Sequence, residues 1–185
     1  TSLDQDSKSR KLAHMCKAAL NKIGTDNNLI DLLKIRLPKF DNGSVYGSPE
    51  YVQIHGMVSA SSGIIFASPV YNWSCCAELK NIIEAIGSTP PDGSRKGALF
   101  DKVVTFVNSA GLPHSYMAFS HLAISLMIDF KCIINPYNIY VHNRQWIDDS
   151  DVNAETRARI EKTLKVAVEL SRLLDQRTYS SGWEI

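Results

Sequence analysis

The sequence has almost no net charge, no long apolar run and no patterned cysteines, and each shortage removes a class of function. Twenty Lys and Arg against nineteen Asp and Glu leave a formal charge of +1 over 185 residues. A nucleic-acid partner needs a clustered basic excess, which is missing. No apolar run approaches the roughly 20 residues of a membrane-spanning helix, and no secretory signal pattern opens the chain. The expectation is a cytoplasmic protein with neither membrane nor nucleic-acid partner. Cys16, Cys75, Cys76 and Cys132 match neither a zinc site nor a disulfide framework, so reduced thiols are expected. Adjacent Cys75 and Cys76 rarely reach disulfide geometry and suit the apolar start of a helix. Six residues after Cys16, Cys75 and Cys76 stand Lys22, Asn81 and Ile82, which excludes a C-x5-R phosphatase or arsenate reductase. G-x-S-x-G, G-x-G-x-x-G and the P-loop pattern are absent. No metal-ligand set and no internal repeat is found.

What is present alternates helix and strand patterns. Residues 1–185 read as a single domain large enough for a substantial core. A helix from about Ser9 carries Leu12, Met15, Cys16, Ala19, Leu20 and Ile23 on one face, with Gly24 at its end. Leu29 to Ile35 reads as a short strand. Ser48-Pro49 is a cap followed by proline at the first helical position, and starts a helix to about Ser59. Ile64 to Phe66 read as a strand covered on both faces. Leu79, Ile82, Ile83 and Ile86 repeat at helical spacing, with Gly87 after them. Residues 88–101 read as a surface connection. Val103 to Val107 is a strand, and Phe119, Leu122, Ala123, Leu126 and Met127 mark a helix. Cys132 to Ile134 is a last strand, interrupted at Asn135-Pro136 and continued by Ile139 to Val141. Residues 151–177 form a long charged helix. This alternation predicts an α/β fold, a parallel sheet with helices on both faces. Ligands of such sheets sit at the carboxyl ends of the strands.

Ser68-Pro69-Val70-Tyr71-Asn72-Trp73 follows the central strand at its carboxyl end, with Leu79-Lys80-Asn81 behind it. This stretch resembles the T-P-E-Y-N … L-K-N signature of the NAD(P)H-dependent FMN reductases, with Val70 in place of the glutamate. The opening Thr1-Ser2-Leu3-Asp4-Gln5-Asp6-Ser7-Lys8-Ser9 is similar to that family's G-S-L-R-x-x-S-x-N phosphate loop, and Asn108-Ser109-Ala110-Gly111 to its S-G-G loop. The resemblance implies a flavodoxin-like three-layer sandwich with strand order 2-1-3-4-5. It implies FMN bound through Ser2, Ser7 and Ser9 at the phosphate. Pro69, Val70, Tyr71, Asn72 and Trp73 would lie along the ring and ribityl chain, and Ser109, Ala110 and Gly111 beside the pyrimidine. NAD(P)H would be the donor and a quinone, flavin, azo compound or metal oxyanion the small-molecule acceptor. Family members usually pair as homodimers or homotetramers through helices flanking the flavin; Leu79, Ile83 and the helix near Phe119 are candidates for that surface, with a simple core role as the equal alternative.

Each stretch also has a plainer reading. Ser7 or Ser9 caps a helix, Gly111 serves a turn, His114 lies on the surface, and Trp73 belongs to the core or an interface. Thr1, Asp4 and Ser9 replace the family's Gly, Arg and Asn. A carboxylate where a cation usually sits opposes a phosphate dianion unless Lys8 or Arg10 compensates. Lys80-Asn81 reads as structural support, and Arg95, Lys96 and Arg144 as partners for a 2′-phosphate. No acid–base residue is assigned, because the cofactor carries the chemistry. The competing function is a non-catalytic flavodoxin-like module, favoured by Asp4 and Val70. The first strand of the 2-1-3-4-5 order is absent from the chain as given, and an apolar strand just upstream of Thr1 is expected. Direct pairing of residues 29–35 with 64–67 would refute it.

Overall fold

A computed structural model describes residues 1–175 of the chain. Its centre is β1 (Gly63–Tyr71) running parallel to β3 (Val103–Ala110), in register from Gly63 opposite Val103 to Pro69 opposite Ser109. Two short strands, β4 (Ile133–Ile134) and β5 (Ile139–His142), extend β3's other edge in parallel. The interruption between them is held by Asn135, whose Nδ2 donates to Thr105 Oγ1 and Thr163 O, each at 3.1 Å. A two-residue strand, β2 (Ser74–Cys75), folds back antiparallel on the end of β1.

Helices cover both faces. α2 (Pro49–Ser59), α3 (Ala77–Gly87) and α4 (Ser120–Phe130) pack on the side of Phe66, Val104 and Phe106. α1 (Lys8–Lys22) and α5 (Ala154–Leu174) pack on the side of Ala67, Val107 and Val141. The alternation of strand side chains thus feeds two separate cores, and β3 is buried along its whole length. This is the flavodoxin-like sandwich, with β1, β3 and the β4–β5 pair in the third to fifth places of the expected order. The helix starts follow from local chemistry. Ser48 Oγ accepts the Tyr51 N–H with Pro49 first in α2, and Ser7 accepts the Arg10 N–H at α1.

Four expectations are corrected. Leu29 to Ile35 is no strand: residues 32–34 form a turn, with the N–H groups of Lys34 and Ile35 donating to Asp31 O. No neighbouring backbone pairs with it, and it does not pair with β1. β1 does not stop at Phe66 but runs through Pro69 to Tyr71. Proline is tolerated there because the missing N–H lies on the edge away from β3. β3 likewise continues past Val107 to Ala110. The 88–101 connection is not all surface, since Ala98 and Leu99 are buried in the core. A Cβ on Gly97 would fall 1.9 Å from Gly87 O, and one on Gly87 would fall 2.4 Å from the Phe130 ring. Glycine at both lets this segment close on α3. The last helix ends at Leu174; residues 176 and 177, also expected in it, lie outside the described residues.

Candidate functional site

The carboxyl ends of β1, β3 and β5 lie side by side. Ser68 pairs with Asn108, which pairs with Tyr140, and Ala110 pairs with His142. The opening loop joins the same rim. The Thr1 nitrogen donates to Ala67 O at 2.8 Å, and Thr1 Oγ1 lies 3.4 Å from Cys76 Sγ at the start of α3. From the other side, Lys8 Nζ donates to Asn143 Oδ1 at 3.0 Å and stands over the Trp146 ring. Residues 1–9, 68–73 and 108–111 therefore converge on one rim of the sheet.

The opening loop is organised by Arg10. Its guanidinium donates to Ser2 O, Asp4 O and Gln5 O, and its Nε to Asp31 Oδ2 at 3.0 Å. Ser2, Ser7 and Ser9 are buried beneath this clamp. Ser2 Oγ accepts the Asp4 N–H, and the Ser7 and Ser9 hydroxyls share a 2.8 Å hydrogen bond. Ser7 is also the α1 cap, as the plainer reading held. The N–H groups of Lys8 and Ser9 lead the helix and have no intrahelical acceptor, which makes this end attractive to an anion. Asp4 turns its carboxylate back onto the Asp6 N–H at 3.0 Å and remains exposed. Arg10 is committed to the loop's carbonyls, so Lys8 is the cation at hand.

The second stretch is a tight hairpin rather than a free loop. Tyr71 pairs with Ser74 across Asn72 (φ 50°) and Trp73 (φ 60°), the two positive dihedrals of a type I′ turn. Asparagine tolerates this conformation; tryptophan adopts it at a steric cost. Tyr71 is 51 % and Trp73 65 % exposed, so neither belongs to the core of this chain. Pro69 is buried and Val70 half-buried against the α2–α3–α4 core. Ser68 Oγ donates to Pro69 O at 3.1 Å.

In the third stretch Ser109 and Ala110 are strand residues, both buried, and Gly111 is the first exposed position after them. A Cβ on Gly111 would meet only Asn143 Nδ2, at 3.9 Å, so the space beside it is open. Asn108 is 1 % exposed, yet its Oδ1 has no hydrogen-bond partner among the described residues. A buried orphan acceptor is costly. Tyr140 fixes the following turn, its hydroxyl donating to Leu112 O and lying 2.9 Å from Ser115 Oγ.

Sequence reasoning missed the fourth part of the rim. His142 ends β5 and Asn143 and Trp146 follow it, and Trp146 Nε1 is buried without a partner among the described residues. No motif marks them; their only signal is position after a strand that the Asn135-Pro136 break obscures. Arg144 lies in this segment, whereas Arg95 stands over Tyr51 and Lys96 over Phe100, near the far end of α3 and away from the rim. His114 is exposed. Asn81 is structural, as expected: its amide bridges the Phe40 N–H (2.7 Å) and Pro38 O (3.0 Å). Leu79 and Ile83, open to either a subunit surface or a core role, are core residues. Among the described residues no cluster of His, Cys, Asp or Glu is arranged to hold a metal ion. A cavity of about 920 Å³ runs along β1 below the rim and is not the open surface between these turns.

The same architecture occurs in solved flavoenzymes. An NADH:FMN oxidoreductase in its apo form superposes with a TM-score of 0.71 at 15% identity, covering 95% of this chain and 87% of that one. The NAD(P)H:(acceptor) oxidoreductase of Paracoccus denitrificans gives 0.66 at 17%, covering 94% of each chain. An azoreductase from Bacillus anthracis str. Sterne gives 0.58 at 19%, covering 88% of this chain and 92% of that one. At such identities the likeness establishes the fold. No curated protein matches the chain. The family model described as NADPH-dependent FMN reductase matches residues 1–145, the whole stretch from the opening loop through β5 to Gln145. The chain belongs to the NADPH-dependent FMN reductase family, oxidoreductases that work with FMN and take their electrons from NAD(P)H.

Proposed function

We propose that the rim holds FMN with its phosphate at the start of α1 and its ring between the hairpin and the end of β3, the chain acting as one FMN-binding domain. Ser2, Ser7 and Ser9 line the phosphate end, where the leading N–H groups of α1 and the Lys8 ammonium favour an anion. Pro69, Val70 and Asn72 lie along the ring and ribityl edge. Tyr71 and Trp73 shield the ring from water. Ser109, Ala110 and Gly111 border the pyrimidine, where the open space beside Gly111 admits the ring. The residues fit such a group, and one observation carries the reading: the orphan acceptor Asn108 Oδ1 is buried at the meeting point of these stretches. A donor N–H on a planar heterocycle relieves its cost.

FMN held at this rim would supply the redox chemistry, a hydride-accepting ring able to give up electrons singly or in pairs. The protein positions the ring, excludes water and sets the local charge; no side chain is needed as an acid or base. The acceptor is a quinone, free flavin, azo compound or metal oxyanion, small enough to reach the ring past Tyr71 and Trp73. The protein works in the cytosol. No described helix is long and apolar enough to cross a membrane. The protein pairs as a homodimer through α4, whose Ile124, Met127 and Ile128 are exposed beside Tyr116 and Met117.

The test is NADH and NADPH oxidation by the FMN-loaded protein across one acceptor of each class. Turnover with at least one supports the reading. A colourless protein that ignores added FMN and oxidises neither nicotinamide refutes it.

A further inference from the structure

The pairing of Ala110 with His142 is the last rung between β3 and β5, so Gly111 and Asn143 leave the sheet side by side. The nearest group to the place a Gly111 Cβ would fill is Asn143 Nδ2, at 3.9 Å, an ordinary contact distance. Gly111 is not among the glycines with a positive φ. Neither sterics within the chain nor the backbone dihedral therefore demands glycine at this position.

The Asn143 carboxamide has a defined orientation. Lys8 Nζ lies 3.0 Å from Oδ1, and an ammonium only donates, so the amide end it meets is the oxygen. The nitrogen is the end left toward Gly111. Asn143 is exposed, and among the described residues its Nδ2 donates to nothing. The turn that carries it is braced. Gln145 Oε1 accepts the His142 N–H at 3.0 Å, Gln145 Nε2 donates to Thr156 Oγ1 at 3.1 Å, and the Trp146 N–H returns to Asn143 O at 3.4 Å. A braced turn thus presents one spare donor across the gap from Gly111. On the same rim Asn108 holds a buried acceptor that has no donor among the described residues. Two amides of opposite need suit a heterocycle whose edge carries both carbonyl and N–H groups.

We propose that Asn143 is a further flavin-binding residue, its Nδ2–H donating to a pyrimidine carbonyl of the ring in the space beside Gly111. This rests on the flavin reading above and adds the segment after β5 to the site. Reduction gathers negative charge at the pyrimidine end, so a donor there holds the reduced ring more tightly than the oxidised one and raises its potential. Lys8 is not required for the contact. Its bond to Oδ1 is open to solvent, and water takes that place when the ammonium is absent. The same contact accounts for glycine at 111, where a methyl would stand between amide and ring.

The experiment titrates the parent protein, Asn143→Ala, Asn143→Asp and Gly111→Ala with FMN and with riboflavin, following flavin fluorescence. Equilibration with a reference dye gives the reduction potential of the bound flavin. Asn143→Ala should weaken both flavins by the same factor, roughly three- to tenfold, the range of one net hydrogen bond. Asn143→Asp, with acceptors only, should weaken riboflavin further and lower the potential below that of Asn143→Ala. Gly111→Ala should weaken both flavins while melting like the parent without flavin. If the parent binds flavin and Asn143→Ala changes neither riboflavin affinity nor potential, the proposal is overturned and the flavin reading stands. A loss confined to FMN also overturns it, by assigning the amide to the phosphate. Parent-like binding by Gly111→Ala removes the ring from that space and the proposal with it. A parent that binds neither flavin ends the flavin reading itself, and this inference falls with it.

Discussion

Arg10 Nε donates to Asp31 Oδ2 at 3.0 Å, and the same guanidinium holds three carbonyls of the opening loop. This pair ties the start of α1 to the turn within residues 29–35, and both partners are largely buried. Replacing Arg10 by Ala leaves Asp31 and the carbonyls without their donor. The expected cost is about 2–3 kcal/mol, or roughly 5–10 °C in Tm for a chain of this size, with weaker FMN binding as the loop loosens. Arg10→Lys should not rescue it, since an ammonium cannot reproduce the planar fork. Thermal melts and flavin titrations of both variants provide the check.

Lys8 and Asp4 should move FMN affinity in opposite directions. Asp4 is exposed and Lys8 half-buried with its hydrogen bond open to solvent, so each effect is modest: Lys8→Ala weakens FMN about two- to fivefold, and Asp4→Asn strengthens it by a similar factor. Riboflavin, which lacks the phosphate, should bind all three proteins alike. Equal effects on riboflavin would place these side chains away from the phosphate.

Trp73 separates backbone strain from function. A non-glycine residue in the left-handed region costs roughly 1–2 kcal/mol, part of which glycine loses again to entropy. Trp73→Gly should therefore leave Tm unchanged or slightly raised, while Trp73→Val should lower it. If the indole shields the flavin, Trp73→Gly also raises KM for aromatic acceptors. A lower Tm for Trp73→Gly would show that the ring packs against this chain after all.

The thiols should divide sharply by position. Burial pushes the Cys16 thiol up to about 12, and Cys76 and Cys132 are buried too; Cys75 is half-buried, its thiol also raised by burial. Native protein at pH 8 should thus release about one reactive thiol, slowly, and four after denaturation. Because folded Cys16 holds its proton longer than the unfolded thiol, stability falls as pH rises from the ordinary value of 9.0 toward about 12. Alkylation followed by peptide mapping identifies the reactive site, and melts from pH 8 to 11 give the slope.

The parts of the fold legible in the sequence are those with local causes. Ser48-Pro49 starts α2 because cap and ring act within one turn. The Asn135-Pro136 break was visible because proline cannot donate to a ladder. Elsewhere the cause is remote. Pro69 reads as a loop residue until β3 is known to lie on its other side. Leu29 to Ile35 has the composition of a strand but no partner for its backbone. The Asn72-Trp73 turn lacks the glycine that usually announces a type I′ hairpin. Arg10 clamps the loop through contacts that no spacing reveals, and Gly97 is buried only because it backs onto Gly87. The three stretches that meet at the rim were legible from resemblance; Asn143, His142 and Trp146, which complete the rim, carry no motif.

The most direct measurement is a flavin titration of the purified protein and its Asn108→Leu variant, followed by flavin fluorescence and thermal melting. The orphan acceptor at Asn108 predicts opposite signs: the variant loses about 1–3 kcal/mol of FMN binding, yet melts no lower without flavin, because an unpaired buried oxygen has been removed. If instead the variant binds FMN as tightly as the parent, or neither protein binds FMN, the convergence of the three turns on this rim does not make a flavin site.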